Sequence, residues 1–198
     1  MKKGQNHNHP KKGTKIKVEP IRKLKDIETI KKLLKDNPRD FVFFTIGINT
    51  NLRASDLLNL RVEQVRGLKP MEEIEIKEKK TGKLRRISLN ESCVKAIQAL
   101  LASDTYHDKD YLFKSQRGTV LTVPSAHRLV KSWCTAINLM GNYGSHTLRK
   151  TWGYHQRVSF NVGIPVLMEC FNHSTQRQTQ AYLCIQPEEI RSVYTNQL

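Results

Sequence analysis

Acidic residues are the scarce class in this chain of 198 residues: 18 Asp and Glu stand against 34 Lys and Arg, a formal net charge of +16. A polyanion is the natural partner of such a surface, and nucleic acid is the commonest one. Charge alone does not choose among DNA, RNA and an anionic membrane. Long apolar runs are missing too, and none approaches the ~20 residues that span a bilayer. The N-terminus, MKKGQNHNHPKKG, is basic and has no apolar stretch of the secretory kind. Cysteines are few, at positions 93, 134, 170 and 184, with no C-x-x-C pair. The spacing of a zinc site is therefore absent, and they read as reduced, packed thiols of a cytosolic protein. There is no P-loop, no H-E-x-x-H, no dinucleotide glycine fingerprint and no internal repeat. Hydrophobic residues make up 38%, a modest share but enough for the core of one domain at this length.

Residues 1–17 hold six lysines (positions 2, 3, 11, 12, 15 and 17) and no acid. Such a segment cannot bury enough apolar area to order itself. It reads as a solvated tail that can also serve as an arm along DNA phosphates. From Asp26 the pattern becomes helical, with Ile27, Ile30, Leu33 and Leu34 at helix spacing. Asn37-Pro38 ends that helix and starts the next, whose run of Phe41, Val42, Phe43, Phe44 and Ile46 is the most apolar in the chain. Ser55 looks like the N-cap of a helix over DLLNL. Residues 73–89 alternate Ile74 and Ile76 with charge, break at Thr81-Gly82 and resume at Leu84, which predicts a basic β-hairpin. Helices are expected over 91–101 and from Val123 to about Asn138, the second with His127, Arg128 and Lys131 facing outward. Residues 161–163 form a turn, Pro165 starts a short buried helix over VLMECF, and a polar helix follows from Thr175 to Leu183. Pro187 opens a last amphipathic segment.

The stretch around which the rest is organised is 144–182. His146 and Arg149 stand three apart, one face of a helix, and His173 precedes Tyr182 by nine residues. Two imidazoles, a guanidinium that grips two phosphate oxygens and a phenol able to attack are all suited to phosphoryl transfer. Upstream, Arg53 sits in the run Asn51, Leu52, Arg53, then Asp56 and Leu57. Alone, that arginine would read as a surface charge, and Asp56 can orient it or simply favour a helix N-terminus.

Together these motifs resemble the catalytic signature of the tyrosine recombinases, the phage-integrase family of DNA breaking and rejoining enzymes. The likeness covers roughly residues 20–198. It implies a mixed fold, mainly α with a small antiparallel β-sheet or hairpin. It also implies roles: Tyr182 as nucleophile forming a 3′-phosphotyrosyl bond, Arg53 and Arg149 on the phosphate oxygens, His146 accepting the phenolic proton and His173 bonding the phosphate. The family's hairpin lysine matches Lys80 in KKTGK as general acid, with Lys79 and Lys83 as competitors because hairpin register is open in sequence. Tyr143, Tyr154 and Tyr194 are alternative phenols. DNA contacts are expected at Lys79, Lys83, Arg85, Arg128 and Lys131. Double-stranded DNA is the expected partner, a tetramer on two sites the expected assembly, and the nucleoid the expected location; no metal, cofactor or ATP is implied. The sequence departs from the family's Leu-Gly-His at Phe171 and Asn172, where a changed turn is expected.

The resemblance divides the chain into a disordered basic tail, 1–20, and a catalytic domain, 21–198. The helical core-binding domain that family members usually carry is not evident, so the chain reads as a minimal enzyme or a fragment. Three other readings compete: a DNA-binding relative that does not cut, an RNA-binding protein, and a topoisomerase-like nicking and closing enzyme.

Overall fold

A computed structural model describes residues 17–115, 118–183, 191 and 193–197. Among these residues the order is α1 (Leu24–Leu34), α2 (Pro38–Asn49), α3 (Ala54–Leu58), β1 (Glu73–Lys77), β2 (Leu84–Ser88), α4 (Glu91–Ser103), α5 (Val123–Ala136), α6 (Thr147–Val158), α7 (Ile164–Phe171) and α8 (Gln176–Leu183). The expected class is found: helices around one antiparallel hairpin. None of the described helices is long and apolar enough to cross a membrane. The segment opening at Pro187 lies largely outside the described residues, as does Cys184, while Cys93 and Cys134 are buried free thiols and Cys170 is half-buried.

Helix α2 is the centre of the molecule because nearly every face of it is apolar. Asn37 caps it by accepting a bond from the Asp40 amide, and Pro38 occupies its first turn. Helices α1, α3, α4 and α6 pack around it. Phe43 meets Phe113 edge-on at 5.2 Å, and Phe44 meets Trp133 of α5 at 6.0 Å. Gly47 lets α6 approach, since a Cβ there would lie 2.5 Å from Leu148 Cδ1. The chain therefore brings α6 directly onto its central helix. A second, smaller cluster of Leu167, Phe171 and Leu183, flanked by Trp152 and Tyr182, joins α6, α7 and α8.

Several local expectations change. Arg53, not Ser55, is the N-cap of α3, and Ser55 lies inside the helix. His146 is likewise the residue before α6 rather than part of it. In the VLMECF stretch only Leu167 and Phe171 are buried, and Leu33 and Leu84 are exposed. Asn172 takes the left-handed conformation, φ 54° and ψ 47°. Asparagine tolerates that region better than other non-glycine residues. The turn usual for glycine is thus kept.

The boundary at residue 20 also moves. Residues 17–20 fall within the expected disordered tail, but Glu19 N–H bonds the Asn142 carbonyl at 2.8 Å and Pro20 and Ile21 are buried. The Ile21 amide donates to Thr151 Oγ1 at 2.8 Å, and His155 Nε2 donates to the Ile21 carbonyl at 2.9 Å. This strap is tied to α6 by residues far along the chain.

Helix α6 meets α7 and α8 at Gly153. A helical glycine-to-alanine change ordinarily stabilises by about 1 kcal/mol. Here the new Cβ would lie 2.5 Å from Phe171 Cζ and 3.0 Å from Leu183 Cδ2. Overpacking of that kind costs about 1–3 kcal/mol. Gly153→Ala is therefore expected to lower the melting temperature in a calorimetric scan; a rise would show that Phe171 yields freely.

Candidate active site

The segment leaving α2 is bent by Asn51, which is buried at φ 48°. Its side chain donates to the Cys170 carbonyl at 2.8 Å and accepts from Arg85, and its own carbonyl accepts from Arg149. Two residues later Arg53 stands at the N-cap position of α3, makes no side-chain cap bond, and projects Nη1 to within 2.7 Å of Glu78 Oε1. Asp56 lies 3.8 Å from the same guanidinium. Its shorter bond, 3.0 Å, is to the Lys79 amide. Asp56 thus faces Arg53 and anchors the hairpin at once.

Arg149, in the first turns of α6, is only 2% exposed. Its guanidinium donates to the carbonyls of Asn51 and of Phe171, the latter at 3.1 Å. Burial, together with the nearby cations Arg53 and Arg85, lowers its pKa to about 10, so it remains charged at neutral pH. After α7, the left-handed Asn172 turns the chain, and His173 Nδ1 meets the buried Thr179 hydroxyl at 3.0 Å. The His173 ring stacks on Phe171 at 5.2 Å, and Tyr182 of α8 packs beside both, 5.0 Å from Phe171 and 5.6 Å from His173. Arg149 Cζ lies 5.8 Å and Lys150 Nζ 5.3 Å from the centre of the Tyr182 ring.

Arg53, Lys80, His146, Arg149, His173 and Tyr182 all line one cleft of about 800 Å³. Lys17, Ser55, Thr81 and Lys150 border it as well. Lys79 and Lys83 are exposed on the same hairpin but do not line the cleft, so Lys80 is the hairpin lysine that reaches it. Desolvation in the cleft lowers the pKa of His146, aided by the charges of Arg149, Lys150, Arg53 and Lys80. His173 is lowered by burial and then by Arg149 and Arg53.

Arg85 was expected to meet DNA and does not point that way. It sits opposite Ile76 in the hairpin and turns inward, bonding Asn51, the Cys170 carbonyl and Glu78. Arg128 lies on α5 at a separate cleft of about 720 Å³, with its guanidinium 3.1 Å from Ser125 Oγ. Lys131 is exposed on the same helix. Lys150 and Glu78 were not singled out in the sequence. A signal for Glu78 existed: strand alternation puts it on the face of Ile74 and Ile76, and a buried acid needs partners. It is 1% exposed, and although burial works to raise its pKa, hydrogen bonds and charge from Arg53, Thr81 and Arg85 hold it down at about 2.

Residues 20–189 match the phage integrase family. A probable integrase/recombinase of Bacillus subtilis, YoeC, is 36% identical over 181 residues, covering 89% of this chain and 95% of its own. The tyrosine recombinase XerC of Caldanaerobacter subterraneus subsp. tengcongensis is 33% identical over 174 residues, covering 83% of this chain; the chain spans about half, 48%, of that longer relative. The fold is similar to the crystal structure of XerA recombinase, with a TM-score of 0.74 at 21% identity over 93% of this chain and 66% of that one. It is similar also to XerH recombinase bound to its palindromic difH substrate in a post-cleavage complex, with a TM-score of 0.74 at 20% identity over 93% of this chain and 55% of that one. From the match over most of its length and the likeness to YoeC and XerC, the chain belongs to the phage integrase family of tyrosine-type DNA recombinases.

Proposed function

We propose that this chain cleaves and rejoins double-stranded DNA through a covalent 3′-phosphotyrosyl intermediate. The observation that carries the reading is the meeting of two arginines, two histidines, a lysine and a tyrosine in one cleft. In the forward step the Tyr182 oxygen attacks the scissile phosphorus. The bond to the 5′-bridging oxygen breaks, and the phenol's proton passes to His146. Lys80 protonates the departing oxygen to give a 5′-hydroxyl. His173 donates a hydrogen bond to the phosphate. A free phenol, with a pKa near ~10, is a weak nucleophile at neutral pH, so this help matters.

Arg149 spends donors on the carbonyls of Asn51 and Phe171 and keeps others for the phosphate. With Arg53 it supplies the positive charge that stabilises the pentacoordinate transition state, usually the largest catalytic contribution. No step of this scheme calls for a metal ion. Attack of a 5′-hydroxyl on the phosphotyrosine reverses the sequence, and the captured bond energy makes ATP unnecessary. Exchange of both strands at two sites is read as the work of four copies on DNA. Lys79, Lys83, Arg128 and Lys131 are the cations proposed to follow the flanking phosphates.

A pool of duplexes with randomised sequence and a nick, incubated with the protein, tests this. Adducts that survive denaturation are expected with the wild type, and sequencing the captured strands yields the cleaved site. Tyr182→Phe is expected to abolish them; an undiminished adduct would move the nucleophile to another residue.

The histidine shifts give a pH expectation. Both imidazoles are held below the ordinary 6.5. The fold therefore favours their neutral forms, and this contribution to stability is present above pH 6.5 and lost as pH falls through the lowered values. NMR titration of the free protein, assigned with His146→Gln and His173→Gln, is expected to give midpoints below 6.5. Midpoints above 6.5 would mean the cleft does not desolvate them.

Each phosphate contact adds about 0.9 to the slope of log affinity against log salt. Lys83→Ala is expected to reduce that slope by about one, whereas Arg85→Ala is expected to leave it unchanged and to lower the melting temperature. A slope that falls for Arg85→Ala would return that residue to the DNA surface.

A further inference from the structure

Glu78 is a buried carboxylate that the cleavage scheme does not use. It stands at the join of two parts of the site. Its backbone shapes the turn that carries Lys80: Glu78 N–H bonds the Lys83 carbonyl at 2.9 Å, and Gly82 N–H bonds the Glu78 carbonyl at 2.8 Å. Its side chain faces the other way on both oxygens. Oε1 forms an ion pair with Arg53 at 2.7 Å and accepts from Arg85 at 3.3 Å, and Oε2 accepts from the Thr81 hydroxyl at 2.7 Å.

A carboxylate so enclosed persists only where paired charges and hydrogen bonds offset its desolvation. Arg53 and Arg85 together do this, and in return each is held in place. Thr81 is next to Lys80 and lines the same cleft. The bond from Thr81 to Oε2 therefore sets where Lys80 stands relative to the arginine on Oε1. A second tether acts in the same sense, because Asp56 in α3 holds the Lys79 amide.

We infer that Glu78 is a positioning residue: it ties the Lys80 turn to Arg53, so that the proton donor is placed against the phosphate that Arg53 holds. The inference rests on the strand-transfer reading proposed above. In Glu78→Gln the remaining side-chain oxygen stays with the two guanidiniums and the amide nitrogen replaces Oε2, so Thr81 loses its acceptor while Arg53 keeps a partner oxygen and Asp56 nearby. The defect should thus fall mainly on protonation of the leaving oxygen.

Sulfur in place of the 5′-bridging oxygen separates these effects. Breaking the P–S bond releases a thiolate, whose conjugate acid has a pKa near ~8.5, so departure needs no proton from Lys80. The test uses the duplex captured from the randomised pool, synthesised in oxygen and sulfur forms, with single-turnover adduct formation as the readout. Glu78→Gln tests the carboxylate. Thr81→Val tests the link to the turn at an exposed position that the core does not depend on.

Both variants are expected to slow cleavage of the oxygen duplex about 10- to 100-fold, the scale of a small misplacement of a reacting group. Both should recover to within about threefold of wild type on the sulfur duplex, as Lys80→Ala should. Adding Thr81→Val to Lys80→Ala should cost nothing further on the oxygen duplex. An equal loss on both duplexes, or no loss on either, would overturn the inference while leaving the strand-transfer reading intact. A wild type that forms no adduct on either duplex would overturn both.

Discussion

Everything in this site depends on keeping positive charge out of water without neutralising it. Arg149 is the clearest case: it is almost wholly buried, yet carbonyls of Asn51 and Phe171 hold its guanidinium. These acceptors belong to the loop before α3 and to the end of α7. One side chain of α6 thus fixes the spacing between the segment that bears Arg53 and the segment that bears His173. Backbone carbonyls solvate a cation while leaving its net charge available to an incoming anion. A carboxylate on Arg149 would have cancelled that charge.

Arg53 is treated differently, and the contrast explains the hairpin. It is paired with Glu78, which also pairs with Arg85, so two guanidiniums share one buried carboxylate. The cleft keeps an excess of positive charge, and that charge adds to the burial that lowers the pKa of both histidines. Neutral imidazoles beside fixed cations suit a site where a proton must leave a phenol and negative charge must gather on phosphate. Two asparagines in the left-handed region, Asn51 and Asn172, make the tight bends that bring these groups in. The packing of Phe171 against His173, Tyr182 and Arg149 then links the anion-binding end of the cleft to α8.

Much of this was legible in the sequence because it is local. The α2 helix announced itself through Phe41 to Ile46, and the hairpin through the alternation of Ile74 and Ile76 with charge. The six candidate residues stood out because their chemistry and spacing converge on one reaction. Residues whose partners are distant did not stand out. Arg85 looked like one more basic residue of a basic hairpin, although its parity with Ile87 and Leu89 places it on the inward face. Glu19 and Pro20 fall within the expected tail, next to a lysine-rich segment that cannot order itself, and Ile21 opens the expected catalytic domain. The order of this strap comes from Asn142, Thr151 and His155, and nothing in the local sequence records those bonds. Asn172 departs from the family's glycine, where a changed turn is expected, but its left-handed backbone preserves the turn.

The central claim is that these side chains converge on one phosphorus atom with Tyr182 as the attacking group. Its most direct measurement is mass spectrometry of the protein–DNA adduct after proteolysis and nuclease digestion. The account expects the nucleotide remnant on the phenolic oxygen of Tyr182, in a peptide from α8. A remnant on Tyr143, Tyr154, Tyr194 or any other side chain would contradict it.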